Sequence, residues 1–446
     1  MTAEIENIRV IPSTVSPTVL SVAHKRYVLF VLTLVYTLNY LDRNLVALLL
    51  EPIKRDLALS DSELGFLTGI AFGLFYAVLG IPIARWADRG DRVNITSIAI
   101  GLWGATVMIC IFVTNFFQLV LARVAAAVGE AGCMPPTYSL VGDYFPAPAE
   151  RTAAMATYML AGPVASLIGF TLGGWLNDHY GWRVTFFLLG IPGLLVAVLV
   201  KATIADTRTH AISQHTCQVL QPSMLDVLRC LSGQTSLRHL STAIVLLYTF
   251  GLGLSPWYAA FMVRSHGMGT SDLGIWLGLV FGISGVVGVA LGGYLATRRF
   301  ATSERRQMRW NALAVASLAP CHLLFLLLAE KHVVLIALIP VVAVFNFVLG
   351  PTFALLQRLV ADEMRATTLS VVMLMANLIG MGLGPQVVGV ISDFLAPHLG
   401  GDSLRYAMLI VSLVSLWSAY HFWQAGRTVE EDLSAMPSRE QFQLTK

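Results

Sequence analysis

The chain has 446 residues, of which 12% are charged and 56% fall in the hydrophobic set, whereas a soluble domain carries about 25% charge. So little charge cannot cover a soluble surface, which excludes a soluble enzyme, a disordered chain and a secreted disulfide scaffold and leaves a polytopic membrane protein. The net charge of +3 is too small to point to a nucleic-acid partner.

Residues 1–26 are mostly polar and carry no basic start, short apolar run and small-residue cleavage site, so no signal peptide is expected. Beyond this tail, apolar runs of about 18–25 residues, enough to cross ~30 Å of hydrocarbon, recur with short polar breaks. Twelve are read, at 27–50, 64–84, 94–113, 117–138, 152–175, 183–200, 241–263, 273–296, 308–328, 333–357, 367–391 and 404–425. With no water to satisfy the backbone, such runs must be helices. The polar stretch 201–240 is the longest and is read as a cytoplasmic linker. It separates one six-helix bundle, 27–200, from a second, 241–425, with a cytoplasmic tail at 426–446. The predicted fold is an all-α membrane protein of twelve transmembrane helices in two six-helix bundles, the outline of an internally duplicated transporter.

Lys and Arg predict the orientation, because loops rich in them stay cytoplasmic. With residues 1–26 inside, 21 of the 29 basic residues fall on the cytoplasmic side, and six (Lys54, Arg55, Arg183, Arg264, Lys331 and Arg405) on the other. Both termini are therefore expected in the cytoplasm, in a multi-pass protein of the cell (plasma or inner) membrane. Glycines four apart (Gly169/Gly173, Gly278/Gly282, Gly288/Gly292, Gly380/Gly384) mark faces where helices approach closely and, taken together, slide past one another. The five cysteines form no CxxC and no Cys/His cluster, so no metal site is expected.

Ionisable groups inside the spans are costly unless paired or wet. Only Asp42, Arg43, Arg123 and Glu130 lie well away from the span ends, all in the first half. Arg123 and Glu130 are two turns apart on one face of span four. At 1.5 Å per residue Asp42 lies ~12 Å and Arg123 ~9 Å below the outer boundary, so Asp42 and Arg43 can meet Arg123 at one level; Glu130 lies ~20 Å deep. Protonating either carboxylate changes the cluster from neutral to positive, which is the physics of a proton switch; the competing reading is a static buried ion pair. Asn39, Tyr40, Tyr76, Thr137, Tyr138 and Tyr158 are candidate cavity groups of the first half. Tyr248, Trp257, Tyr258, Asn346, Gln357, Asn377 and Gln386 are those of the second, which is otherwise apolar and aromatic. His322 reads as a hydrogen-bonded core histidine.

Asp88-Arg89-Gly90-Asp91-Arg92 after span two resembles the loop signature of the major facilitator superfamily. Gly162-Pro163 with Gly169, Gly173 and Gly174 resembles its antiporter-type helix motif, and Gly382-Leu383-Gly384-Pro385 with Ser392-Asp393 resembles its span eleven. Within the superfamily, Asn39-Tyr40-Leu41-Asp42-Arg43, Arg123, Gly129-Glu130-Ala131 and Pro135–Tyr144 resemble the spinster-like group. The resemblance implies the major facilitator fold and a secondary transporter that alternates access by rocking two bundles, often coupled to protons and associated with lysophospholipids and sphingosine-1-phosphate. It implies Asp42 and Glu130 as proton-coupling residues and Arg43 and Arg123 as substrate contacts. Asn39, Tyr76, Tyr138, Trp257 and Tyr258 are expected to join them around the substrate. A cytoplasmic gate is expected at Asp88, Arg89, Arg92, Asp143 and Arg151.

The leading expectation is a proton-coupled carrier of a lysophospholipid or related amphiphilic lipid, with a small organic anion or a drug-like compound as the alternative cargo. An enzyme or channel is the third class, but HExxH, GxSxG and Walker patterns are absent, so no enzymatic activity is expected. The expected partners are the substrate and the bilayer, with the proton as coupling ion, no cofactor, no nucleic acid and a monomeric carrier.

Overall fold

The computed structural model describes residues 21–206, 224–300, 303–361 and 364–435. Residues 207–223 of the predicted linker, with Arg208, Gln214 and Gln218, and the greater part of both predicted tails lie outside them.

In the first half, α1 (Val22–Leu57) starts where the Ser21 side chain accepts the His24 N–H. The short α2 (Asp61–Thr68) opens on a capping box between Ser60 and Glu63, and α3 (Ile70–Arg89) continues it past Gly69. Asp91 caps α4 (Arg92–Ile109) by accepting from the Val93 and Asn94 amides. Pass four is two helices, α5 (Phe116–Ala131) and α6 (Met134–Tyr144), broken at Gly132–Cys133 before two prolines. The half ends with α7 (Pro148–Met159) and α8 (Ala161–Thr203).

The linker helix α9 (Met224–Gly233) leads to α10 (Thr235–Leu254), α11 (Trp257–His266), α12 (Thr270–Arg298), α13 (Glu304–Leu327) and α14 (Lys331–Arg358). Pass eleven is α15 (Arg365–Met375), a π-helical stretch at Ala376–Leu383 and α16 (Gly384–Leu399); α17 (Ser403–Ser412) and α18 (Val414–Ser434) complete the chain.

Among the described residues, nine helical stretches are long and apolar enough to cross a bilayer. Two of them contain a reversal at a glycine in the left-handed region: Pro148–Thr203 at Gly181 (φ 78°) and Thr367–Ser434 at Gly400 (φ 54°). The 36-residue α1 is not among the nine, because Asn39, Asp42, Arg43 and Asn44 lower its mean hydropathy. Resolving the reversals and adding α1 gives twelve passes.

The passes form two bundles, α1–α8 and α10–α18, each with a packed interior. They meet along two seams, α8 against α12 and pass two against pass eleven. Both seams are tight at the end opposite the chain termini. A methyl group at Gly174 would collide with the Thr270 backbone, and one at Gly389 with that of Asp61. Toward the end that carries the termini the seams loosen. A methyl at Gly282 would come within 3.3 Å of the Pro163 carbonyl, a tight contact but not the backbone collision of the other end, and one at Gly80 or Gly162 would meet nothing within 4 Å.

The polar contacts follow the same division. At the tight end Arg264 of α11 reaches Glu51 of α1 at 2.6 Å and Asp61 of α2 at 2.7 and 2.8 Å. Asp393 of α16 accepts from the Asp61 and Ser62 amides, and Asp178 of α8 accepts from Thr270 and Ser271 of α12. At the terminal end, the ion pairs among the described residues join groups within one bundle: Lys25–Glu150, Arg92–Asp143, Arg305–Glu430 and Arg358–Glu304. The described chain is therefore latched at one face and parted at the other.

Candidate functional site

The four intramembrane charges come together on the inner face of the first bundle as two ion pairs. Adjacent positions on α1 point about 100° apart around the helix, so Asp42 and Arg43 take different partners on α5. Asp42 meets Arg123 at 2.5 Å, with both side chains buried. Arg43 meets Glu130 through Nε and Nη2, each 2.9 Å from the same carboxylate oxygen. The sequence brings both Asp42 and Arg43 to the level of Arg123; Asp42 meets it, while Arg43 pairs with Glu130, so each arginine holds a carboxylate of the other helix.

Neither pair is saturated. Asp42 Oδ1, Glu130 Oε1 and Arg123 Nε are buried without a hydrogen-bond partner. The Phe72 ring lies 4.8 Å from the Arg43 guanidinium and 4.9 Å from that of Arg123, and the Tyr76 ring lies 4.8 Å from Arg43. Aromatic faces lend electron density to such cations without neutralising them. Arg43 Nη1 also reaches the Met381 sulfur at 3.7 Å, a contact from the first bundle to the π-helical stretch of the second. A π turn shifts the register of a helix and is frequent at functional sites.

Arg43 and Arg123 face a cavity of about 170 Å³ between the bundles. Its first-bundle wall adds Tyr40, Asn44 and Phe72, while the opposite wall is largely aromatic and aliphatic, with Phe250, Tyr258, Phe281 and Phe345. Asp42 is screened from this cavity and borders a void of about 10 Å³ on the far side of Arg123, roughly the space of one water. Among the described residues no group of three His, Cys, Asp or Glu side chains could hold a metal ion.

The other predicted residues divide. Tyr258 lines the cavity and Tyr76 covers Arg43. Tyr138 stacks edgewise on Tyr158, 5.3 Å away, within the first bundle. Asn39 is buried and donates to the Val35 carbonyl one turn back on α1. Trp257 is fully buried and donates its indole N–H to the Pro385 carbonyl at 3.2 Å, packing α11 against α16 rather than facing a ligand.

At the terminal face Arg92 is buried, bridging Asp143 at 2.7 Å and Asp206 at 2.5 Å. Arg151 donates to the carbonyls of Phe145 and Gly142, and Arg89 is exposed; the Asp88 side chain lies outside the described residues. Sequence reasoning missed Asp206 and the latch of Glu51, Asp61, Arg264 and Asp393. The signal available for the latch was Ser392-Asp393, since Ser392 donates to Asp61 at 2.6 Å.

Residues 32–385 match the family model described as Major Facilitator Superfamily. The chain is 33% identical to an MFS-type efflux pump of Mycolicibacterium smegmatis over 90% of its length and 93% of that protein. It is 28% identical to protein spinster homolog 1 of Xenopus laevis over 92% of its length and 82% of that protein. Among solved structures, the occupied, inward-facing crystal structure of a bacterial homologue of the human lysosomal transporter spinster superposes with a TM-score of 0.79 at 28% identity, covering 92% of this chain and 99% of that one. With its twelve passes in two bundles and its charged cavity between them, the chain belongs to the Major Facilitator Superfamily of membrane transporters and resembles the spinster proteins within it.

Proposed function

We propose that the protein is a proton-coupled carrier of an anionic amphiphile, a lysophospholipid being the leading case, and that it works by alternating access. The observation that carries this reading is the asymmetry of the cavity: two arginines on one wall, an aromatic and aliphatic surface on the other. A phosphate takes a charge-assisted, two-point contact from a guanidinium, and an acyl chain is accommodated by the opposite wall. With the terminal face in the cytoplasm, as the Lys and Arg distribution predicts, the parted cavity is inward-facing.

Coupling follows from the pairing. Glu130 holds Arg43 through one oxygen. A proton on Glu130 releases Arg43 for the headgroup, so proton and anion bind together. Asp42 and Arg123 repeat the arrangement, with the Asp42 carboxylate screened from the cavity behind Arg123.

Uptake of labelled lysophospholipid into proteoliposomes under a pH gradient tests the reading, with Asp42→Asn and Glu130→Gln beside the unaltered protein. Gradient-driven uptake that both substitutions abolish supports it; uptake indifferent to both removes the proton switch. The similarity to an efflux pump and the aromatic lining favour a second reading, export of a drug-like compound. Gradient-driven ethidium transport without lysophospholipid uptake would establish that one.

A further inference from the structure

The wall opposite the arginines contains a polar group that nothing in the switch uses. His322 lies on α13, wholly buried, and neither ring nitrogen has a hydrogen-bond partner. Three other histidines do find partners: the Nδ1 atoms of His239 and His421 lie 2.8 Å apart, and His179 Nδ1 lies 2.8 Å from the Trp175 carbonyl. An unpaired buried polar group is destabilising, and leucine or phenylalanine would fill the same space without that cost. The hydrogen bond expected of a core histidine is absent here.

Position suggests what supplies the missing partner. The imidazole packs against Phe250 at 5.4 Å and Tyr258 at 5.7 Å, with Phe325 at 5.6 Å on another side. Phe250 and Tyr258 line the central cavity, as do the polar Ser255 and Asn346 of the same bundle. His322 is thus one aromatic layer behind the wall that faces Arg43 and Arg123.

We propose that His322 is a positioning residue for the cargo: it hydrogen-bonds a neutral group of the amphiphile, a hydroxyl or an ester, once the Phe250 and Tyr258 rings part around it. A neutral imidazole offers one donor and one acceptor, so it can serve an ester carbonyl through its N–H and a hydroxyl through its bare nitrogen. The cavity then reads its cargo at two points, the anion at the arginines and a neutral polar group at His322. This assignment rests on the lipid reading above and adds what distinguishes one anionic amphiphile from another.

The test compares two lipids in proteoliposomes, oleoyl-lysophosphatidic acid and oleyl phosphate, which lacks both hydroxyl and ester. The unaltered protein is expected to favour the lysolipid in kcat/KM by about fivefold or more, the worth of one net hydrogen bond. His322→Leu is expected to erase that preference through KM for the lysolipid alone, while unfolding at the same or a higher temperature. His322→Gln, which keeps a donor and an acceptor, is expected to retain part of the preference; His322→Phe serves as the apolar variant if the leucine protein does not fold. A preference unchanged in the apolar variant, with higher thermal stability, overturns the assignment and leaves His322 an unpaired core residue. An unaltered protein that takes both lipids equally also overturns it. If it takes neither, the lipid reading itself falls, and this assignment with it.

Discussion

Two sets of buried arginine–carboxylate contacts divide the molecule's work differently. The inner cluster joins Asp42 to Arg123 and Arg43 to Glu130 entirely within the first bundle and leaves three polar atoms unsatisfied. The latch at the end opposite the termini joins Arg264 of the second bundle to Glu51 and Asp61 of the first, with Lys54 and Ser392 also donating to Asp61. Pairs within one rigid body can exchange partners without moving it, so the inner cluster is suited, on the proposed coupling, to taking up a proton and an anion together. Pairs between bodies must break whenever the bodies rock, so the latch is suited to weighting one face against the other. The chemistry is the same in both; location assigns the task.

The largest expected effect tests the inner cluster. Asp42→Asn and Glu130→Gln each leave an arginine buried beside a neutral partner, a loss of about 3–5 kcal/mol in such pairs. Gradient-driven uptake is expected to fall about 100-fold or more, while the distance between spin labels placed across the latched face stays unchanged.

Arg264→Ala reverses that pattern. It removes the cation that Glu51 and Asp61 share across the seam, and a few kcal/mol suffices to invert a two-state population. Spin labels at Ala58 and Asp402, both exposed at the latched face, are expected to move apart in electron-resonance distance measurements. An unmoved distance would remove the latch from the mechanism.

Gly274→Val presses on the neighbouring α8–α12 seam by volume alone, since its Cβ would collide with the Phe170 backbone. Overpacking costs about 1–3 kcal/mol, so the same labels should show a smaller population shift. The mildest test is Trp257→Phe, which touches neither set. It deletes one hydrogen bond, to Pro385, and is expected to lower unfolding stability by about 1 kcal/mol with KM for the lysophospholipid unchanged. A raised KM would return Trp257 to the cavity.

Much of the architecture was legible because membrane insertion is decided locally. A run such as 333–357 is apolar enough to be read as a span whatever surrounds it, and the structure holds it as α14. The four intramembrane charges were legible for the same reason: an ionised group in hydrocarbon is conspicuous wherever it points. Trp257 was not legible. An aromatic residue near a predicted cavity is equally suited to lining it or to packing behind it, and only the azimuth of α11 against α16 distinguishes the two. Arg264 was hidden because, in the sequence, it is one more charge at the end of a span.

The sequence by itself determined that this chain crosses the membrane twelve times in two bundles and that its deep charges belong to the first. Each of those outcomes is a sum of single-residue transfer energies, which composition and spacing carry completely. The tertiary structure alone decided which carboxylate holds which arginine, that His322 is left without a partner, and which face is latched. Those outcomes depend on distances of a few ångströms between helices as much as 332 positions apart in the chain, and such distances exist only once the bundles have packed.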